Sequence, residues 1–307
     1  METLFAVFRD YTFQVVALGS AVLGVVSGVI GSFAVLRKQS LIGDGVSHSA
    51  LPGVVMAFML LGSKNTEVLL LGALVSGLLA ILFVVNIVRH TRIKFDSALA
   101  LVLSVFFGLG MVLLTYVQKF PNANQAGLKR FIYGQASTIL QRDVILMSVC
   151  GAVLLVLVAL LWKEFKLFSF DSEFAHSLGF SPKKLNLLLS FMTVLTIIIG
   201  LQTVGAILMS AMLIAPAVAA RQWTDRLWVM VLLSALFGAI SGIAGTAVSS
   251  LVSGLPTGPS IVVCISIIVI VSVLFAPGRG ILHKLYIRRK NKVTYRMEGG
   301  APNVPGI

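Results

Sequence analysis

Asp44 and His48 stand one helical turn apart in Ser40-Leu-Ile-Gly-Asp-Gly-Val-Ser-His-Ser-Ala-Leu-Pro-Gly53, at the entrance to an apolar stretch that continues to Leu61. An i, i+4 spacing turns both side chains to one helix face, where a carboxylate oxygen and an imidazole nitrogen can share one small cation. An ionisable group at membrane depth costs about 2.5–3.5 kcal/mol on insertion scales, so its presence points to a function. Transport of a transition-metal ion is the chemistry the pair suggests. The structural alternative is a helix-capping aspartate beside a hydrogen-bonded imidazole, because Gly43-Asp44 also suits a helix start. Two side chains do not complete a transition-metal shell, so water, backbone carbonyls or facing residues of a second subunit must supply the rest. Carboxylate, imidazole and water suit Mn²⁺; Zn²⁺ favours further His or Cys, and the apolar segments contain no second His.

The elements that must position this pair are apolar helices. The chain has 307 residues, 58% hydrophobic and 11% charged, which no soluble fold of this size could bury. Stretches of roughly 20 apolar residues recur throughout, the length that spans a bilayer. Short segments of alternating polarity, the mark of a membrane β-barrel, are absent. The expectation is an all-α polytopic membrane protein, a single transmembrane domain over 1–307. Apolar segments fall at 14–36, 46–62, 66–88, 97–117, 143–162, 185–203, 204–220, 227–250 and 260–276. If the sixth and seventh, joined by Gly200-Leu-Gln-Thr-Val-Gly205, form one broken helix, the count is eight. Lys and Arg decide between the two, because they gather on the cytoplasmic side. Nine crossings with the N-terminus outside put 18 basic residues inside and 6 outside, whereas eight crossings give 15 against 9.

The net charge of +13 therefore reads as topology anchoring and contact with anionic membrane lipid, not as nucleic-acid binding. Residues 277–307 alone hold Arg279, Lys284, Arg288, Arg289, Lys290, Lys292 and Arg296. Cys150 and Cys264 lie in apolar segments and read as core residues, and Met209 and Met212 read as packing. His90 and His283 fall in basic inner segments. No secretory signal is apparent at the start. Small residues recur at four-residue intervals in the first segment (Ser20, Gly24, Gly28, Ser32) and in the eighth (Gly238, Gly242; Ser241, Gly245), a pattern that lets helix backbones approach closely. The inner loop 163–184 contains Phe170-Asp-Ser-Glu-Phe-Ala-His-Ser-Leu-Gly179. Asp171 and Ser172 suit a helix N-terminus, Phe174 and Leu178 share a face, and Gly179 suits the end. A short amphipathic helix on the cytoplasmic surface follows. The chain contains no Gly-x-x-x-x-Gly-Lys-Ser/Thr loop, so it does not hydrolyse ATP in the P-loop manner and is expected not to be an enzyme.

Four stretches together resemble the metal-ion ABC importer permeases, which move manganese, zinc or ferrous iron. They are Leu36 to Gly53, Phe170 to Gly179, Gln202 to Arg221, and Leu255-Pro-Thr-Gly-Pro-Ser-Ile-Val262. The stretch Ala126-Gly-Leu-Lys-Arg-Phe-Ile-Tyr-Gly-Gln135 is similar to the manganese and zinc branch. The resemblance implies a type II ABC importer-like bundle of nine (or eight) spans in a bacterial cytoplasmic (inner) membrane, with no permanently bound cofactor. It implies a cytoplasmic ATPase dimer, an extracytoplasmic metal-binding protein and a second permease chain, identical or different. Asp44 and His48 match the positions that line the cation path. Phe170, Asp171, Glu173, Phe174, His176, Leu178 and Gly179 match the coupling helix that sits on the ATPase, and Leu255 to Gly258 matches the outer end of the last span. Phe95 and Ala100 depart from the family pattern around Asp96, so no role is transferred to Asp96. Two other functions stay open on the residues: a permease for a bulky metal chelate such as a siderophore or corrinoid, and a gradient-driven secondary metal carrier.

Overall fold

The computed structural model describes residues 10–62, 65–119, 139–252, 254–277, 279–285 and 287. The chain start up to Arg9, most of the expected outer element between Lys119 and Arg142 (including Ala126–Gln135), and the basic tail from Arg288 onward lie outside the described residues. Twelve helices run in order: α1 Tyr11–Leu36, α2 Ile42–Ser49, α3 Leu51–Leu61, α4 Thr66–His90, α5 Phe95–Gln118, α6 Gln141–Leu160, α7 Trp162–Phe170, α8 Ser172–Ser177, α9 Pro182–Val204, α10 Ala206–Trp223, α11 Leu227–Leu251 and α12 Thr257–Phe275. Among the described residues no strand occurs. With lipid as the solvent, a helix satisfies every backbone donor and acceptor internally, which is why an apolar chain takes this form.

Among the described residues eight helices are long and apolar enough to cross a membrane, with α2 and α3 acting together as one over Ile42–Leu61. α10, of 18 residues, lies outside that set. The chain reverses at Gly205, whose φ of +83° is left-handed backbone that a side chain disfavours. α10 then returns beside α9, so that Gly200 faces the sulfur of Met209. Its outer end lies by Gly258 at the start of α12, and at its inner end the indole of Trp223 donates to the Ser272 hydroxyl at 3.0 Å. The weak break in the sequence is therefore a full turn, and the sixth and seventh apolar segments are two separate helices.

The small-residue faces of the first and eighth segments meet each other. α1 and α11 run antiparallel with Gly24 against Gly238, Gly28 against Ser234 and Ser20 against Gly242. A Cβ added to Gly24 would stand 2.3 Å from the Gly238 carbonyl oxygen, so only glycine allows this approach. The gap so closed admits a hydrogen bond between helices, from the Ser234 hydroxyl to the Gly28 carbonyl at 2.7 Å. On its core side α1 packs on α9 and α10, and α10 in turn packs on α2. The fully buried Ile30, Phe33, Ile42, Met209, Met212 and Leu213 mark this centre, where both methionines serve as packing.

Candidate metal-ion site

Pro52 carries no N–H, so the carbonyl of His48 lacks its usual partner four residues on, and the second crossing divides into α2 and α3 around Ala50. The hydroxyl of Ser76 on α4 compensates nearby, donating to the Ser49 carbonyl at 2.6 Å. The short helix α2 is thereby held from several sides. Gly45 abuts Leu99 of α5, Gly43 abuts Ser210 of α10, and Val46 lies against Gly77 of α4. Gly77 is near the middle of α4 and Phe107 near the middle of α5, so contacts with both set α2 at the mid-depth of the bundle.

On this helix the Nε2 of His48 lies 3.3 Å from Oδ1 of Asp44. Asp44 does not cap: the N-cap residue is Leu41, which makes no side-chain cap bond. The imidazole is packed edge-on against Phe107, ring centroids 5.1 Å apart, which fixes its plane. Two ligands each about 2.1 Å from one ion, at octahedral to tetrahedral angles, stand about 3.0–3.4 Å apart. The pair already has that bite. Its side chains are 23% exposed for His48 and 50% for Asp44, so the carboxylate is open at the surface of this chain. Among the described residues no group of three or more His, Cys, Asp or Glu gathers to hold a metal. Water, backbone or a facing chain must complete any shell.

The cytoplasmic stretch forms the expected short helix, α8. Asp171 Oδ1 accepts from the backbone N–H groups of Glu173 and Phe174 at 3.1 and 2.9 Å, satisfying the helix start. Gly179, at φ +89°, lets the chain turn away. Ala175 faces inward, whereas Phe170, Phe174 and Leu178 are more than half exposed, and Glu173 and His176 are exposed with them. An apolar, solvent-facing ridge of this kind marks an interaction surface. The preceding helix α7 anchors it: Phe165 is fully buried and packs on Phe33 of α1 at 5.7 Å between centroids, with Trp162 edge-on to the same ring at 6.1 Å.

Arg37 is the residue that sequence reasoning counted only as a topology charge. It sits just past the inner end of α1, seven positions before Asp44. Its guanidinium lies over the Phe168 ring at 4.6 Å and donates to the Asn186 side-chain carbonyl at 2.5 Å. It therefore ties α7 and α9, on either side of α8, to the segment that leads into α2. Burial lowers its pKa to about 10, and its Nη1 is buried without a partner among the described residues. No local pattern could have flagged it, because Phe168 and Asn186 are more than 130 residues away.

Residues 9–276 match the model of the ABC 3 transport family. The chain belongs to that family. It is 52% identical over 290 residues to the zinc transport system membrane protein TroC of Treponema pallidum, covering 94% of this chain and 97% of that protein. It is 46% identical over 283 residues to the manganese transport system membrane protein MntC of Bacillus subtilis, covering 92% of this chain and 65% of the relative's length. Among solved structures, PsaBC from Streptococcus pneumoniae in complex with Fab superposes with a TM-score of 0.79 at 30% identity, over 94% of this chain and 99% of that one. Family membership, and eight helices among the described residues that are apolar and long enough to cross a membrane, make this a multi-pass membrane protein of an ABC transport system, and a permease subunit of this family is not itself the catalytic part.

Proposed function

We propose that the chain is the permease of an ATP-driven importer of a divalent transition-metal ion, with Mn²⁺ favoured and Zn²⁺ or Fe²⁺ as alternatives. The observation that carries this reading is the Asp44–His48 pair, set at chelating separation halfway through the bundle. The relatives named for manganese and zinc transport support the substrate class, and a hard carboxylate–imidazole set without thiolate favours Mn²⁺ among them. The carboxylate offsets part of the ion's dehydration cost, and neutral imidazole adds a directional ligand.

A half-exposed carboxylate facing lipid would carry the full insertion cost of about 2.5–3.5 kcal/mol. In this reading a second permease chain covers that face and completes the path, in a bacterial cytoplasmic membrane. An extracytoplasmic binding protein delivers the ion near the Leu255–Gly258 turn. ATP binding by a cytoplasmic ATPase dimer displaces the ridge of Phe170, Phe174 and Leu178, and Asp171, Glu173, His176 and Gly179 shape and flank that contact. Arg37 carries the displacement from α7 and α9 to α2, so access to Asp44 and His48 alternates.

The test is uptake of radioactive manganese by cells whose only copy of the permease is Asp44→Asn, His48→Ala or both. Each single change should lower uptake at least tenfold, with the variant present in the membrane at wild-type level. Wild-type uptake in the double variant would remove the pair from the path.

A further inference from the structure

We infer that the permease carries a binding site for an anionic phospholipid of the inner leaflet, between α7 and the start of α11. A cavity of about 410 Å³ lies there, lined by Trp162, Lys166 and Phe170 from α7 and by Asp225, Arg226 and Trp228 around the start of α11. Among the described residues neither Lys166 nor Arg226 enters an ion pair, whereas the charge of Asp225 is taken up by Arg279. Two uncommitted cations between two tryptophans match a phosphodiester at headgroup depth, with the indoles at the glycerol and ester level.

Above the cavity the surface is shaped for acyl chains. α11 presents Trp228, Leu232, Leu236, Ile240 and Ile243 as one exposed apolar stripe, and α6 presents Val149, Val153, Val156 and Leu160. Both helices pack on α1 rather than on each other. On α1 itself Leu18 is exposed and Val22 and Val25 are half-buried. Leu23 and Ile30, on the opposite side of α1, are buried in the core with α9 and α10. The cavity shares no lining residue with the Asp44–His48 pair, so the site does not depend on the ion carried.

The assigned occupant is a lipid and not free phosphate, because Trp228 both lines the cavity and begins the exposed apolar stripe of α11, and Leu160 ends that of α6 two residues before Trp162. The experiment places the full complex in phosphatidylcholine nanodiscs containing a minor fraction of brominated phosphatidylglycerol or brominated phosphatidylcholine, and reads tryptophan quenching. In the wild type the anionic lipid should quench more strongly. Each cation within reach of the headgroup contributes ~1 kcal/mol, about fivefold in selectivity. Lys166→Gln and Arg226→Gln should therefore each lower the preference about fivefold, Lys166→Arg should keep it, and Trp228→Phe should remove much of the quenched signal. Both glutamine changes are at exposed positions, and unchanged melting of the variants checks the fold.

Equal quenching by the two lipids in wild type would overturn the inference, as would full selectivity in the double glutamine variant. Displacement by inorganic phosphate would show a free-anion site instead. Loss of ATPase retention in the double variant, with no lipid selectivity in the wild type, would assign the cavity to the protein interface.

Discussion

Replacing Arg37 with methionine should leave the permease folded while disconnecting α8 from the Asp44–His48 pair. The guanidinium gains a charged hydrogen bond to Asn186, worth about 1.5–3 kcal/mol, and a cation–π contact with Phe168 of about 0.5–2 kcal/mol. Against this, burial that lowers its pKa to about 10 corresponds to roughly 3 kcal/mol of unfavourable desolvation at neutral pH. The terms nearly cancel, so Arg37→Met should change stability by no more than about 1 kcal/mol. Asn186→Leu should behave differently, because it strands the buried charge and should cost about 2–3 kcal/mol. The sign of the pH dependence follows from the lowered value. The desolvation penalty is present in full below about pH 10 and is relieved as the pH rises above it toward the ordinary guanidinium value, so the wild type should gain stability relative to Arg37→Met across that window. Melting of the purified variants measures these terms, and manganese import per ATP hydrolysed in proteoliposomes measures coupling. Arg37→Met should retain its melting temperature and lose most import. Import at the wild-type ratio, or melting as early as Asn186→Leu, would refute the reasoning.

Phe174→Ala removes an exposed ring from α8 and should leave the melting of the isolated permease unchanged, while weakening capture of the ATPase in a pull-down by at least tenfold. Gly24→Ala drives a methyl to 2.3 Å from the backbone of Gly238 and should destabilise by about 1–3 kcal/mol, read as a lowered melting temperature. Gly108→Ala, which meets nothing within 4 Å in this chain, should leave that temperature unchanged.

Much of the architecture was legible before any tertiary contact was known. Hydropathy fixes nine apolar segments because each must be long enough to span lipid, and Asp44 and His48 share a face because an α-helix repeats every 3.6 residues. The cap at Asp171 and the turn at Gly179 are likewise local events, decided within a few residues of chain. Gly205 lay at the edge of what could be read: one glycine separates a broken helix from a full reversal, and only the return of α10 beside α9 distinguishes them.

What the chain by itself determined, then, is the helical membrane class, the approximate crossings and the types of side chain that face one another along a single helix. Tertiary structure decided which helices pair through their small residues, the mid-depth position of α2 against Gly77 and Phe107, and the link of Arg37 to Phe168 and Asn186. The reason is the solvent. Lipid tails are as apolar as the helices, so hydropathy distinguishes neither a lipid-facing surface from a packed one nor one neighbour from another. Steric fit and a few polar contacts between distant residues make those choices, and they exist only once the bundle has closed.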